Sequence, residues 1–343
     1  MAGPGMLIRV VCISWWLAQG AVSSKKQSRV VSSRKKSRVV SSNKKSRVVS
    51  SIKKPRKASG TPIVGMKLAE TGSTWWWETL MSVPGTNIVK ELIRKTSPST
   101  PSKRTAEMIR RLDARECAPN TVCGFTINPK NSPGVDWNRV GATAGCVVAW
   151  RRTNLVKTVV SGMRKMTFGV CHHVNNVDAK TSGEMAPCGK ETEAFPVEVF
   201  EKKLMSQALF ALDLDGAVAA AKRRAKCSVD MTYEDLQRDE DGELERLFVG
   251  ALGFSSPLKR HFKTITAKKT SDDIRDVMTN FKEIASYLAA LGVEDACSLS
   301  AMLNETAFVA FPRCDHAAVV RAICAGHDRR VGRRMGGCPP GYR

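Results

Sequence analysis

Between Lys25 and Lys57 the chain contains no aspartate and no glutamate. Apolar residues are scarce there too, limited to three Val-Val pairs, Ile52 and Pro55 among lysine, arginine and serine. The first absence leaves positive charge uncompensated along the whole stretch. The second excludes a packed core, because so little apolar area cannot offset the entropy of ordering the backbone. A third absence concerns the rest of the chain. After the N-terminal leader no run reaches the ~20 continuous apolar residues that a spanning helix needs, so no membrane span is expected. Nor does a complete catalytic signature occur, and no cofactor is expected.

What the basic stretch does contain is one phrase repeated. Arg29, Arg38, Arg47 and Arg56 recur every nine residues, each preceded by a lysine pair, and the first three are followed by Val-Val-Ser-Ser. Nine residues is not a period that gives a helix or a strand a continuous apolar face, so residues 23–60 are expected to be a disordered arm. Its cations are Lys25, Lys26, Arg29, Arg34, Lys35, Lys36, Arg38, Lys44, Lys45, Arg47, Lys53, Lys54, Arg56 and Lys57. Of 55 lysines and arginines these 14 leave 41 elsewhere against 32 acids, so most of the net charge of +23 belongs to the arm. A polyanion, either nucleic acid or sulfated glycan, is the expected partner, since each cation that neutralises an anion releases condensed counterions. Repetition multiplies such weak contacts.

Residues 1–22 have the order of a cleavable secretory signal: Arg9 in a short leader, the apolar run VVCISWWLA, then small residues around Ala18, Gly20 and Ala21. A secreted protein is the expectation. Ten cysteines follow Cys12, an even set that in such a compartment reads as disulfides of undetermined pairing. Asn304 opens the sequon Asn-Glu-Thr and is a candidate glycosylation site.

From residue 61 onward the composition is that of a globular protein. Trp75, Trp76 and Trp77 diverge by ~100° each on a helix, so one or two are expected inside and one outside. Between Thr121 and Val174 the β-branched and aromatic runs TVCGFTI, AGCVVAW, LVKTVV and KMTFGVC, separated by turn residues, predict a small antiparallel sheet of three or four strands. Cys123, Cys146 and Cys171 would sit one per strand. Beyond Pro187 helical stripes take over: Val199, Phe200, Leu204, Leu209 and Phe210; Leu236, Leu244, Leu247 and Phe248; and Ile274 through Leu288. Asp315 should start the helix HAAVVRAIC. The fold class expected is α+β, with a disordered basic arm, a mixed domain over 61–190 containing the antiparallel sheet, and a helical-bundle subdomain over 191–343.

Several short stretches carry chemistry. LFALDLDGAV, residues 209–218, resembles the first motif of haloacid-dehalogenase-like phosphatases; the resemblance implies a strand delivering Asp213 as nucleophile, with Asp215 as acid/base. RDEDGELE resembles part of an EF-hand calcium loop through Asp239, Asp241 and Gly242, but Gln237 and Phe248 stand where the end ligands belong. Cys314, His316, Cys324 and His327 offer zinc-type ligands, whereas a secretory route favours disulfides, so no metal is expected. RRLDARE resembles the Arg-x-Leu-Arg motif of oomycete effectors with Asp113 in place of the last arginine, and the KKSR and KKPRK units resemble heparin-binding clusters.

The sequence therefore points to a secreted, non-enzymatic binding protein. Its arm would engage a polyanion and its folded part an unknown protein partner, in the manner of an effector that enters another cell and its nucleus. An extracellular protein held on heparin-like glycan or mineral is the alternative. A phosphatase-like enzyme using Asp213 and Asp215 is a third reading.

Overall fold

The segment TPIVGM forms the first strand, β1 (Thr61–Met66), with every residue after Thr61 buried. The computed structural model describes residues 60–92, 100–113, 117–168, 192–254, 258–260, 274–293, 314–331 and 338–342. The leader, the arm cations, Asn304 and Cys171 lie outside them. After β1 come helix α1 (Ser73–Met81), strand β2 (Thr86–Val89), helix α2 (Pro101–Arg111), strand β3 (Val122–Ile127), helix α3 (Trp137–Thr143) and strand β4 (Cys146–Arg151). Helices α4 (Leu155–Phe168) and α5 (Val197–Lys222) lead to strand β5 (Ser228–Thr232). The remaining helices are α6 (Tyr233–Arg238), α7 (Glu240–Glu245), α8 (Phe281–Ala290) and α9 (His316–Val331).

The strands form one five-stranded sheet in the order β2-β3-β1-β4-β5, and every pairing is parallel. This overturns the expected α+β fold with its antiparallel sheet and following bundle: the architecture is α/β, with helices on both faces. The physical reason lies in burial. A parallel strand covered by helices on both sides is apolar at every position and shows no alternation; β3 and β4 are buried almost throughout. Their neighbours in sequence are helices, not strands. LVKTVV, expected as a strand from its β-branched residues, is the start of α4, where the Asn154 side chain accepts a hydrogen bond from the Lys157 amide at 2.9 Å as a helix-starting cap. Tertiary packing outweighs local β preference here.

The two faces have separate cores. On one, Trp76 and Leu80 of α1 pack with Ile63, Val148, Trp150, Met231 and Leu236. On the other, Met108 of α2, Val140 of α3 and Leu214 of α5 pack with Val64, Met66, Phe125 and Val147. Gly124 lets β3 lie against β1: its φ is 137°, and a Cβ there would stand 1.9 Å from the Ile63 carbonyl oxygen. Trp76 is fully buried and stacks on Trp150 with ring centres 5.2 Å apart, while Trp75 and Trp77 are half-buried.

Helix α5 is long and apolar enough to cross a membrane by length and composition. In this fold one side of it packs on apolar clusters and the other is exposed. Phe200, Leu204 and Ala208 in its first half join α4, α8 and α9 in a third apolar cluster, and Ala211, Leu214, Val218 and Ala221 in its second half press on the sheet. Cysteines stand at disulfide-bonding distance in the pairs Cys117–Cys123, Cys146–Cys227 and Cys324–Cys338. Cys146 and Cys227 tie the start of β4 to the approach to β5 across 81 residues of chain.

Candidate functional site

In open parallel sheets ligands bind outside the carboxyl ends of the strands, where successive connections leave to opposite faces. Here β1 leads to α1 on one face, whereas its neighbour β3 leads to α3 on the other. The loop Lys67–Gly72 leaves β1 at that point. Its geometry is tightly specified. Thr71 donates through its hydroxyl to the Leu68 carbonyl at 2.8 Å, and Trp150 of β4 donates through Nε1 to the Thr71 carbonyl at 2.9 Å. Gly72 has a φ of 73°, and a Cβ there would meet the Tyr233 ring at 2.4 Å. Glu70 and Glu91 also hold left-handed φ values of 60° and 51°, a backbone strain that non-glycine residues adopt at some cost.

Lys67 is the first residue past β1. Its side chain is 1% exposed, yet its ammonium donates to Ser73 Oγ at 3.2 Å and to Glu91 Oε1 at 2.5 Å. The loop thus begins and ends at the same place, with the strand-end amine brought to the first residue of α1. That helix begins without a side-chain cap and has no acid in its first turn. Helix-starting amides of this kind attract anions. The spacing differs from a P-loop, in which lysine follows the second glycine; here Gly72 is followed by Ser73 and Thr74, and the lysine precedes the loop. Lys90, after β2, reaches Thr74 Oγ1 at 3.2 Å, and burial together with the charge of Lys67 lowers its pKa.

Two arginines end β4 and point to opposite faces. Arg152 lies over the Tyr233 ring with Cζ 4.5 Å from the ring centre. Its side chain is 8% exposed, its nearest carboxylate oxygen, on Glu234, is 4.0 Å away, and its buried Nε has no hydrogen-bond partner. Glu234 instead accepts from the amides of Thr153 at 3.0 Å and Asn154 at 3.2 Å. Burial raises the Tyr233 pKa, with Arg152 opposing. Arg151, by contrast, is fully engaged: it donates to Asp215 Oδ1 at 2.7 and 3.0 Å and to Asp230, which also takes Lys222 at 2.5 Å. His316 Nδ1 completes this cluster, 3.5 Å from Asp215 Oδ2.

The residues singled out from sequence fall elsewhere. Asp213 and Asp215 lie within α5, not at the end of a strand, and Asp213 is on its exposed side. Asp239 caps α7 by accepting from the Gly242 amide at 2.9 Å. Cys324 faces Cys338 rather than a zinc set, and among the described residues no group of three His, Cys, Asp or Glu could hold a metal. Lys67, Glu91, Arg152 and Tyr233 were not anticipated. A lone lysine closing an apolar run, with Gly-Ser-Thr beginning five residues later, is the signal that could have found the first.

No protein-family model matches the chain, and no characterised protein resembles it significantly in sequence. Among solved structures it is similar to mouse sulfotransferase SULT7A1 complexed with PAP, at 13% identity and a TM-score of 0.34, over 57% of this chain and 60% of that one. The chain thus spans about three fifths of that structure's length. It is also similar to the sulfotransferase domain from the curacin biosynthetic pathway, at 10% identity and a TM-score of 0.33, over 81% of this chain and 99% of that one. Likenesses this distant leave the site to be read from its own geometry.

Proposed function

We propose that the α/β unit binds a ligand carrying a phosphate or sulfate group at the carboxyl end of β1. The observation that carries this reading is the buried Lys67 ammonium, held at the start of α1 by a partner, Glu91, that is itself 40% exposed. A charge buried without a counterion is costly. A half-exposed carboxylate can be replaced by a ligand oxygen without the ammonium ever standing alone. Thr74 and the first-turn amides of α1 would take further oxygens, and Arg152 supplies a second cation on the adjacent strand. Titrating the full chain with pyrophosphate, ATP and adenosine 3′,5′-bisphosphate tests this. At least one should bind saturably, and Lys67→Met should weaken it by about 10- to 100-fold, the worth of one charge-assisted hydrogen bond. Binding unchanged by that substitution, or absent for all three, would defeat the reading.

The arm is a second, separate element of the proposal: 14 cations without one acid, in a nine-residue repeat, suit a polyanion outside the cell or in the nucleus of a recipient cell. The leader motivates the secretory route. Deleting Lys35–Ser51 removes six cations, so the slope of log affinity against log salt for single-stranded nucleic acid should flatten by about four. An unchanged slope would show that the repeats do not act by charge.

A further inference from the structure

The carboxylate that meets Lys67 is brought there by a backbone that β3 holds in place. The Glu91 amide donates to Thr126 Oγ1 at 3.1 Å and the Leu92 amide to the Thr126 carbonyl at 3.2 Å, and Thr126 itself is fully buried. Pinned in this way, Glu91 keeps its left-handed φ of 51°, a conformation that disfavours glutamate and that glycine adopts freely. Strain of this kind persists where the surroundings over-determine it. Here its result is a carboxylate delivered to a buried ammonium.

The two partners differ in freedom. The Lys67 side chain is closed off from solvent, whereas that of Glu91 is half-exposed and can turn toward water about its own side-chain bonds without moving the pinned backbone. Its charge also reaches a second cation: burial and the charge of Lys67 lower the Lys90 pKa, and Glu78 and Glu91 oppose them. With Glu91 in place, an outside anion therefore meets less positive charge than the two lysines alone would present. At Lys67 it must exchange one oxygen for another before it gains anything. A protein whose binding-competent form is only a fraction of the whole shows an affinity lowered by that fraction.

We infer that Glu91 is a resident competitor for the anion site, an internal carboxylate that occupies Lys67 in the free protein and is displaced when a ligand binds. The inference rests on the anion-binding reading of Lys67 and adds the regulation of that site. Calorimetric titration of the full chain with pyrophosphate tests it. Glu91→Gln keeps an oxygen for Lys67 and removes the competing charge, so it should bind pyrophosphate about tenfold or more tightly than the native chain. The gain should vanish in the double variant Lys67→Met/Glu91→Gln. If thermal unfolding shows that Glu91→Gln does not fold, Glu91→Asp takes its place: it keeps a counter-charge but draws it back by one methylene, and affinity should rise in the same direction. An affinity within twofold of native or weaker, while Lys67→Met still weakens the native chain, would overturn the competitor and leave the anion site standing. Lys67→Met without effect, or no binding by native chain and variant alike, would remove the site and the inference together. Failure of both Glu91 variants to fold would make Glu91 a structural counter-ion and overturn the inference.

Discussion

On the α5 side of the sheet, Arg151 is surrounded by more charge than it needs, with Asp215 and Asp230 as partners and Lys222 and His316 balancing them in turn. On the α1 side, one residue later, Arg152 rests on a tyrosine ring with a carboxylate no nearer than 4.0 Å and a buried nitrogen unmatched. The pleat of β4 sends adjacent side chains to opposite faces, so the same residue type meets two environments. Where each charge already has its complement, the cluster holds strands and helices together. Where a cation is left short of partners, at the end of the strand next to β1, the geometry suits an outside anion.

Paired substitutions break or sharpen this contrast. The largest effect expected is on affinity: Arg152→Gln should weaken the phosphate-bearing ligand by about tenfold or more with little change in melting temperature. Arg151→Met should do the reverse, leaving affinity within about twofold while costing roughly 1–3 kcal/mol in denaturant unfolding, because two carboxylates lose their shared partner. Their 35–43% exposure and the resulting solvent screening keep that cost well below that of a fully buried pair. If both variants lose affinity equally, or both lose stability equally, the division between the faces is wrong.

Acid should act through the same cluster. Burial alone would raise the Asp215 pKa, but the His316 and Arg151 hydrogen bonds and charges outweigh it and hold it below the ordinary value of 3.8; Asp230 is likewise lowered, its burial outweighed by Lys222 and Arg151. A depressed carboxylate contributes stability above its unfolded pKa and loses that contribution as pH falls through the folded one. Melting temperature should therefore drop on acidification below about pH 4, and Asp215→Asn should make that drop shallower. An unaltered acid limb would remove Asp215 from the account. The smallest effect belongs to the surface: Glu107 pairs with Arg110 and Arg111 on exposed α2, and Glu107→Ala should change stability by no more than about 0.5 kcal/mol.

Sequence reasoning found pieces of this fold without its plan. TVCGFTI and AGCVVAW are strands, and Asp315 does start its helix, accepting from the Ala318 amide at 2.9 Å. The turn residues between AGCVVAW and LVKTVV, expected to join two strands, instead carry the chain from β4 into α4. An antiparallel hairpin and a strand-to-helix turn can use the same polar residues; only the distant partner strand decides between them. Asp213 and Asp215 looked like a phosphatase motif because ten residues of helix can spell the same letters as a strand. The site was hidden for a different reason. Lys67 and Glu91 follow two strands that β3 separates, so their contact is a product of the strand order 2-3-1-4-5 and of nothing local, and Arg152 follows the strand on the other side of β1.

Helix α5 has a consequence for how the folded part opens. At ~1.5 Å per residue its 26 residues extend for about 39 Å, and its two halves belong to two different apolar clusters. Neither cluster can be exposed to solvent on its own without stripping one half of a continuous helix. The sheet and the α8–α9 packing should therefore exchange their slowest amide hydrogens as a single cooperative unit, with α5 as the member common to both.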